Sequence, residues 1–170
     1  MVGCADLRDE ANILFMIRTA LFLILIGTHA AAQCPTTDEE GARFFASGPD
    51  LISPESWDVV ANGVHGAPCD GWVEQGVAGD QVDGFLPASP TAIFELDGMA
   101  PHILMVMADA QCSPRLVVRT GDGIWHFGEH ANGRQEVTVW GTPDGPMQVW
   151  VGAEEQTQCE ARLTLETFDR

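Results

Sequence analysis

The sequence contains no lysine and no tyrosine, and no two cysteines stand as CxxC. Each absence excludes something. Without CxxC there is no zinc-ribbon knuckle and no thioredoxin-like redox pair. Without lysine there is neither a Schiff-base nucleophile nor a lysine-rich basic patch. All eight basic residues are arginines, set against 25 acids. Three of those acids and two of the arginines precede Gln33, which leaves 22 acids, six arginines and a net charge of −16 from Gln33 onward. Such a chain repels phosphate backbones, so nucleic acid is a poor partner. Anionic membrane surfaces are disfavoured for the same reason. Helical hydrophobic periodicity is also scarce after the first thirty residues. The one stretch that suggests a short helical turn is DEEGARFFA, residues 38–46.

What is present begins at the N-terminus. Residues 16–32, MIRTALFLILIGTHAAA, combine Arg18, an apolar run at 20–27, and Ala30 and Ala32 at the −3 and −1 positions of a cut before Gln33. That is the pattern of a secretory signal peptide. The apolar run is shorter than the roughly 20 residues a spanning helix needs. Residues 1–15 are acidic and unlike a signal start, so the expectation is that Met16 opens the protein and 1–15 are an upstream mis-start. Gln33 fits poorly as the residue before a lipoprotein cysteine, so no lipid anchor at Cys34 is expected. The expected mature chain, Gln33–Arg170, has 138 of the 170 residues. That is enough for one domain with a real core. We expect a lead-in at 33–56 and the domain proper at 57–170, in the periplasm or outside the cell, as a monomer with no membrane insertion after signal removal.

The mature cysteines are Cys34, Cys69, Cys112 and Cys159. An even number in an exported chain reads as two disulfides. Three pairings are possible. Cys34–Cys69 with Cys112–Cys159 is preferred because each bridge then joins neighbouring parts of the chain, each adding roughly 4 kcal/mol in the chain-entropy model.

From residue 57 onward the chain reads as short β-prone runs between Gly, Pro, Asp and Asn. The expected strands are WDVVA (57–61), AIFEL (92–96), ILMVMA (103–108), RLVVRT (115–120), QEVTVWG (135–141), MQVWVG (147–152) and ARLTLETF (161–168). This spacing predicts an all-β, antiparallel two-sheet sandwich. In 147–151, Met147, Val149 and Val151 share one face and Gln148 and Trp150 the other. In 161–165, Ala161, Leu163 and Leu165 oppose Arg162 and Thr164. A period of two suits sheets with one wet face. ILMVMA does not alternate and is expected to be central and covered on both sides. Residues 62–91 are expected to form loops and short edge strands tied down by Cys69.

One stretch draws attention to itself: GDGIWHFGEHANG, residues 121–133. Asp122, His126, Glu129 and His130 are its metal-ligand candidates. Zinc needs three or four ligands, and His126 and His130 share a strand face only if the strand runs on through Gly128. Calcium needs six to eight oxygens, and few are offered here. The favoured reading is a hairpin: a turn at GDG, Trp125 and Phe127 on one face with His126 on the other, and Asn132-Gly133 turning the chain back. Asp80 and Asp83 in GDQVDG resemble part of a calcium loop but lack its closing glutamate, so they read as a turn. The mature serines, Ser47, Ser53, Ser56, Ser89 and Ser113, stand in no GxSxG context, so no catalytic residue is assigned.

Five tryptophans remain. By parity, Trp140 lies opposite Val137 and Val139, and Trp150 opposite Val149 and Val151. Both are therefore candidates for the outer face of one sheet, as a contact surface for a protein or glycan. The favoured reading packs them under a loop or across a second layer; they remain the best guess for a contact surface.

The order of features from residue 49 resembles a family of exported bacterial domains, the pre-peptidase C-terminal domains and their small stand-alone relatives. The resemblance rests on Pro49-Asp50-Leu51, Cys69, Gly84-Phe85, Pro90 before AIFEL, RLVVRT leading to Asp122-Gly123-x-Trp125, and Gly145 through Val149-Trp150-Val151-Gly152. It covers roughly 120 residues and is most specific in the C-terminal half. It implies a jelly-roll-like sandwich without catalysis. Many relatives hold calcium through aspartates after the tryptophan; here Gly128, Glu129, His130 and Asn132 stand there instead, so no cofactor is expected. The leading functional expectation is an exported, non-catalytic binding or accessory module. The alternatives are a small exported hydrolase or protease-associated protein, and a calcium-stabilised structural envelope domain.

Overall fold

The computed structural model describes residues 36–37, 40–67 and 83–169. The expected signal segment 16–32, Cys34, Cys69 and Asp80 lie outside them, and with them the expected Cys34–Cys69 bridge. Within them run twelve strands: β1 (Ala42–Ser47), β2 (Glu55–Asn62), β3 (His65–Ala67), β4 (Gly84–Leu86), β5 (Ala92–Asp97), β6 (His102–Ala110), β7 (Pro114–Arg119), β8 (Trp125–Phe127), β9 (Glu129–Ala131), β10 (Arg134–Trp140), β11 (Gly145–Ala153) and β12 (Gln158–Asp169). They form a two-sheet sandwich of jelly-roll type. All seven long strands read from β-prone runs between turn residues are present, each within three residues of its expected ends.

The seven-stranded sheet is built around β11. Its first half pairs β5 on one edge, its second half pairs β7 on the other, and β4 takes up the first edge at Ala153 opposite Phe85. β1 extends this sheet beyond β5, β3 beyond β4, and β8 beyond β7. The five-stranded sheet runs β2-β12-β6-β10-β9. Every pairing is antiparallel except β1 with β5, which is parallel.

Between the sheets lies the core that the period of two foretells. Leu104, Val106 and Ala108 of β6, Val137 and Val139 of β10, and Ala161, Leu163 and Leu165 of β12 meet Phe94, Leu116, Val118, Met147, Val149 and Val151 of the other sheet. Full burial of one such side chain contributes about 1.5–3 kcal/mol. At one end three aromatic rings interlock: Phe44, Trp57 and Phe94 have centroids 4.9 to 5.5 Å apart.

Four expectations are corrected. DEEGARFFA is no helical turn: Ala42–Ser47 is strand β1. Phe44 and Ala46 pack on the core while Arg43 and Phe45 point away, and Phe44 stacks on Phe94. The expected lead-in 33–56 is therefore part of the sandwich, since β1 belongs to a sheet. The only described helix is the single 3-10 turn Asp50–Ile52, which buries Leu51. β6 is central, as expected, yet covered on one side only. Its outer residues Ile103 and Met105 are half-exposed, and only Met107 is closed off. β11 has the opposite fate. It was read as having one wet face, but Gln148 and Trp150 are buried as well as the valines of the other face.

Cys112 and Cys159 form a disulfide, with a Cα separation of 6.2 Å. It ties the β6–β7 turn to the start of β12. The loop it closes is long, so the bridge restricts the unfolded chain strongly. No helix of the described residues is long and apolar enough to cross a membrane.

Candidate functional site

The stretch 121–133 is two structures joined at one glycine. Its first part closes a turn: Gly123 N–H donates to the Thr120 carbonyl (2.8 Å), and the Asp122 carboxylate accepts from the Thr120 hydroxyl and from the Ile124 N–H. The Thr120 hydrogen bond holds the Asp122 carboxyl below its ordinary pKa. In β8, Trp125 stands beside Arg119, His126 beside Val118, and Phe127 beside Val117. Val118 is a core residue, so His126 turns toward the core and the two aromatics turn outward. Burial lowers the His126 pKa, opposed in part by the Asp122 charge. Its Nε2 is buried and has no hydrogen-bond partner among the described residues.

At Gly128 the chain leaves one sheet for the other. Its N–H donates to the Leu116 carbonyl of β7 (2.8 Å), and the next residue already pairs with β10. A Cβ here would lie 2.7 Å from Gln135 Oε1 and 2.9 Å from Leu116 Cβ. Only glycine passes this gap. The hairpin then closes on Asn132 (φ 53°) and Gly133 (φ 84°), as an Asn-Gly two-residue loop should. His126 and His130 therefore stand on different sheets. Glu129 and His130 are exposed on β9. Among the described residues no three His, Cys, Asp or Glu side chains gather as metal ligands would.

A groove of about 440 Å³ opens beside β9, and His130, Ser113, Asp83, Glu154 and Arg115 are among the residues that line it. A serine, a histidine and acids on one groove are the ingredients of hydrolysis, so their connections decide. Triad chemistry requires serine–histidine and histidine–acid hydrogen bonds. Here the acids face Arg115 instead: its Nε donates to Asp83 Oδ1 (2.9 Å) and its Nη2 lies 3.7 Å from Glu154 Oε1. No hydrogen bond joins Ser113 to His130 among the described residues.

The two tryptophans separate completely. Trp140 is on β10 of the five-stranded sheet and Trp150 on β11 of the seven-stranded sheet, so they share no face. Trp150 is 0 % exposed, stacked 5.1 Å from Trp125, and is not a contact residue. Its parity was right, but a second layer covers it. Trp140 is 72 % exposed. It pairs across β6 with Ile103, and Ile103 pairs with Phe168 of β12, itself 41 % exposed. The three form one apolar row across three strands, and Met105 stands in the next row between Thr138 and Glu166. Ile103, Met105 and Phe168 were not singled out in the sequence. The even-numbered face of ARLTLETF included Phe168, but only the register between strands brings it to Trp140.

Around this row the same face is acidic. Asp58 is paired with Arg162 (3.3 Å) and Glu136 with Arg134 (2.6 Å). Glu129, Asp109, Glu160 and Glu166 have no arginine partner among the described residues.

No family model and no curated protein matches the chain. Among solved structures it is similar to the pre-peptidase C-terminal domain of the collagenase from Bacillus anthracis. That similarity has a TM-score of 0.42 at 10 % sequence identity and covers 77 % of this chain and 99 % of that one.

Proposed function

We propose that the protein is an exported, non-catalytic accessory module that docks a partner on the outer face of its five-stranded sheet, with Trp140 as the anchor. The observation that carries this reading is the row Trp140–Ile103–Phe168, a large aromatic and two apolar neighbours held toward solvent by three paired strands. Rigid exposed tryptophans dominate binding energetics because they bury much apolar area at little entropic cost. Glu166, in the row next to Phe168, and the acids farther along the same face that have no arginine partner among the described residues favour a protein segment that combines an apolar side chain with basic groups, since opposite potentials steer association. Export is supported by the signal-like segment 16–32 and by the Cys112–Cys159 disulfide, which belongs in an oxidising compartment. The module is read as a monomer without cofactor.

The test is a chemical-shift titration of the labelled protein with two probes, a short peptide of alternating arginine and tryptophan and a neutral β-linked oligosaccharide. Saturable shifts at Trp140, Ile103 and Phe168 with the peptide, weakened by salt and lost in Trp140→Ala, are expected. Shifts at these residues with the oligosaccharide alone would replace the protein partner with a glycan. Silence at this face with both probes would sink the docking reading.

A further inference from the structure

The opposite face of the molecule carries a second feature, unrelated to the docking row. On the outer side of the seven-stranded sheet, register aligns Arg43, Ile93, Gln148, Arg119 and Trp125 across β1, β5, β11, β7 and β8. In a chain this acidic, arginines find carboxylates readily. Arg43 lies 3.3 Å from Glu95, Arg115 2.9 Å from Asp83, Arg134 2.6 Å from Glu136, and Arg162 3.3 Å from Asp58. Arg119 has no carboxylate among the described residues. It is held instead by neutral groups: Nη1 donates to Gln148 Oε1 (3.4 Å), and the guanidinium lies over the Trp125 ring, 5.7 Å from its centroid. Gln148 is itself fixed, donating from Nε2 to the Thr37 carbonyl (2.9 Å). The Arg119 Nε is buried and unpartnered.

We infer that Arg119 is the anchor of a binding site for a small carboxylate. Arg119, Arg43, Glu95, Gln148, Thr37 and Ile93 are among the residues that line a cavity of about 220 Å³. That is room for a carboxylate and a few attached atoms, given that one water takes about 30 Å³ of liquid volume. A planar guanidinium whose orientation is set beforehand matches a carboxylate with two parallel N–H donors. Stacking on Trp125 leaves the edge of the fork, where those donors lie, as the binding edge. Glu95 lines the cavity too and pairs with Arg43, which leaves Arg119 as the lining cation without a carboxylate among the described residues; one such cation suits a monoanion better than a polyphosphate. The shared chemistry is a carboxylate on a small neutral body, which either a peptide C-terminus or a uronic acid provides.

The Arg119 Nε–H resonance is the direct reporter. It is followed in the protein during addition of acetyl-alanine, of acetyl-alanine amide, and of glucuronate. A saturable shift with a carboxylate and none with the amide is expected, falling off as salt is raised. Arg119→Gln should weaken carboxylate binding about tenfold or more, read at Gln148 and Ile93, because charged hydrogen bonds are lost. Arg162→Gln, on the other sheet, should bind as the parent does. A response to acetyl-alanine alone, or to glucuronate alone, supports the site and names its source. If the Nε–H does not move with either carboxylate, or if Arg119→Gln binds as tightly as the parent, the inference is wrong. Should Arg119→Gln fail to fold, the titration of the parent still decides.

Discussion

The two outer faces of the sandwich are built from nearly the same pattern and end in opposite states. VTVW in β10 and VWV in β11 both alternate valine with tryptophan, and in both the valines enter the core. On the seven-stranded sheet the outward residues are then closed over: Trp150 lies under Trp125, and Gln148 is tied to Thr37. On the five-stranded sheet they stay open, and Trp140 has solvent above it. Alternation determines which way a side chain leaves its own strand. It does not determine what lies on the other side. That is decided by distant chain, here the three residues of β8 that fold back on β7.

This comparison predicts a ranking of substitutions. Trp150→Ala removes a buried ring and leaves a cavity, so it should cost about 3–5 kcal/mol in chemical denaturation. If it cost no more than a surface change, the closed face would not be a second core. Next comes the Cys112–Cys159 bridge. Replacing both cysteines with serine should lower stability by about 2–4 kcal/mol, measured the same way. Gly128→Ala forces a methyl against Leu116 and Gln135, and overpacking of this kind costs about 1–3 kcal/mol. Smallest of all, Trp140→Ala should change stability by no more than about 0.5 kcal/mol, while abolishing binding at its face. A large loss there would mean that Trp140 supports the fold.

Acid should act on the closed side first. His126 binds its proton less readily in the folded protein than in the unfolded chain, because burial disfavours the charge. The unfolded state then takes up more protons as pH falls, so the contribution is complete above about pH 6.5 and is lost progressively below it. Asp122 is also held low, and its contribution disappears only in stronger acid, below the ordinary carboxylate range. Melting temperatures from about pH 8 down to pH 5 should therefore fall less steeply in His126→Gln than in the parent. Parallel curves would show that His126 is not the group responsible.

How much of this was legible follows from the same contrast. The seven long strands, the inward valines and leucines, and the Asn-Gly hairpin are local in origin, and the period of two exposes them. β1 was misread because its two phenylalanines are adjacent. Only Phe44 belongs to the core, and Phe45 is left outside, which hides the alternation. β3, β4, β8 and β9 have three residues each, too few to show a period. The exposed apolar row escaped for a different reason. Trp140 was visible, but Ile103 sat in a run that looked buried on both sides, and Phe168 lies 28 positions away in sequence. Register is a property of pairs of strands, and no single segment contains it.

The crossing at Gly128 has a further effect, on how the protein behaves when crowded. Had the strand run straight on, Trp125–Ala131 would be one seven-residue ribbon, apolar at its start and unpaired along one side. Such a ribbon is a template for strands of other molecules and a seed for aggregation. Divided between two sheets, it offers three residues to each, too few for a neighbouring chain to grip. One glycine, by sending the backbone around a corner, removes a strand edge through which the protein could recruit its own kind at high concentration.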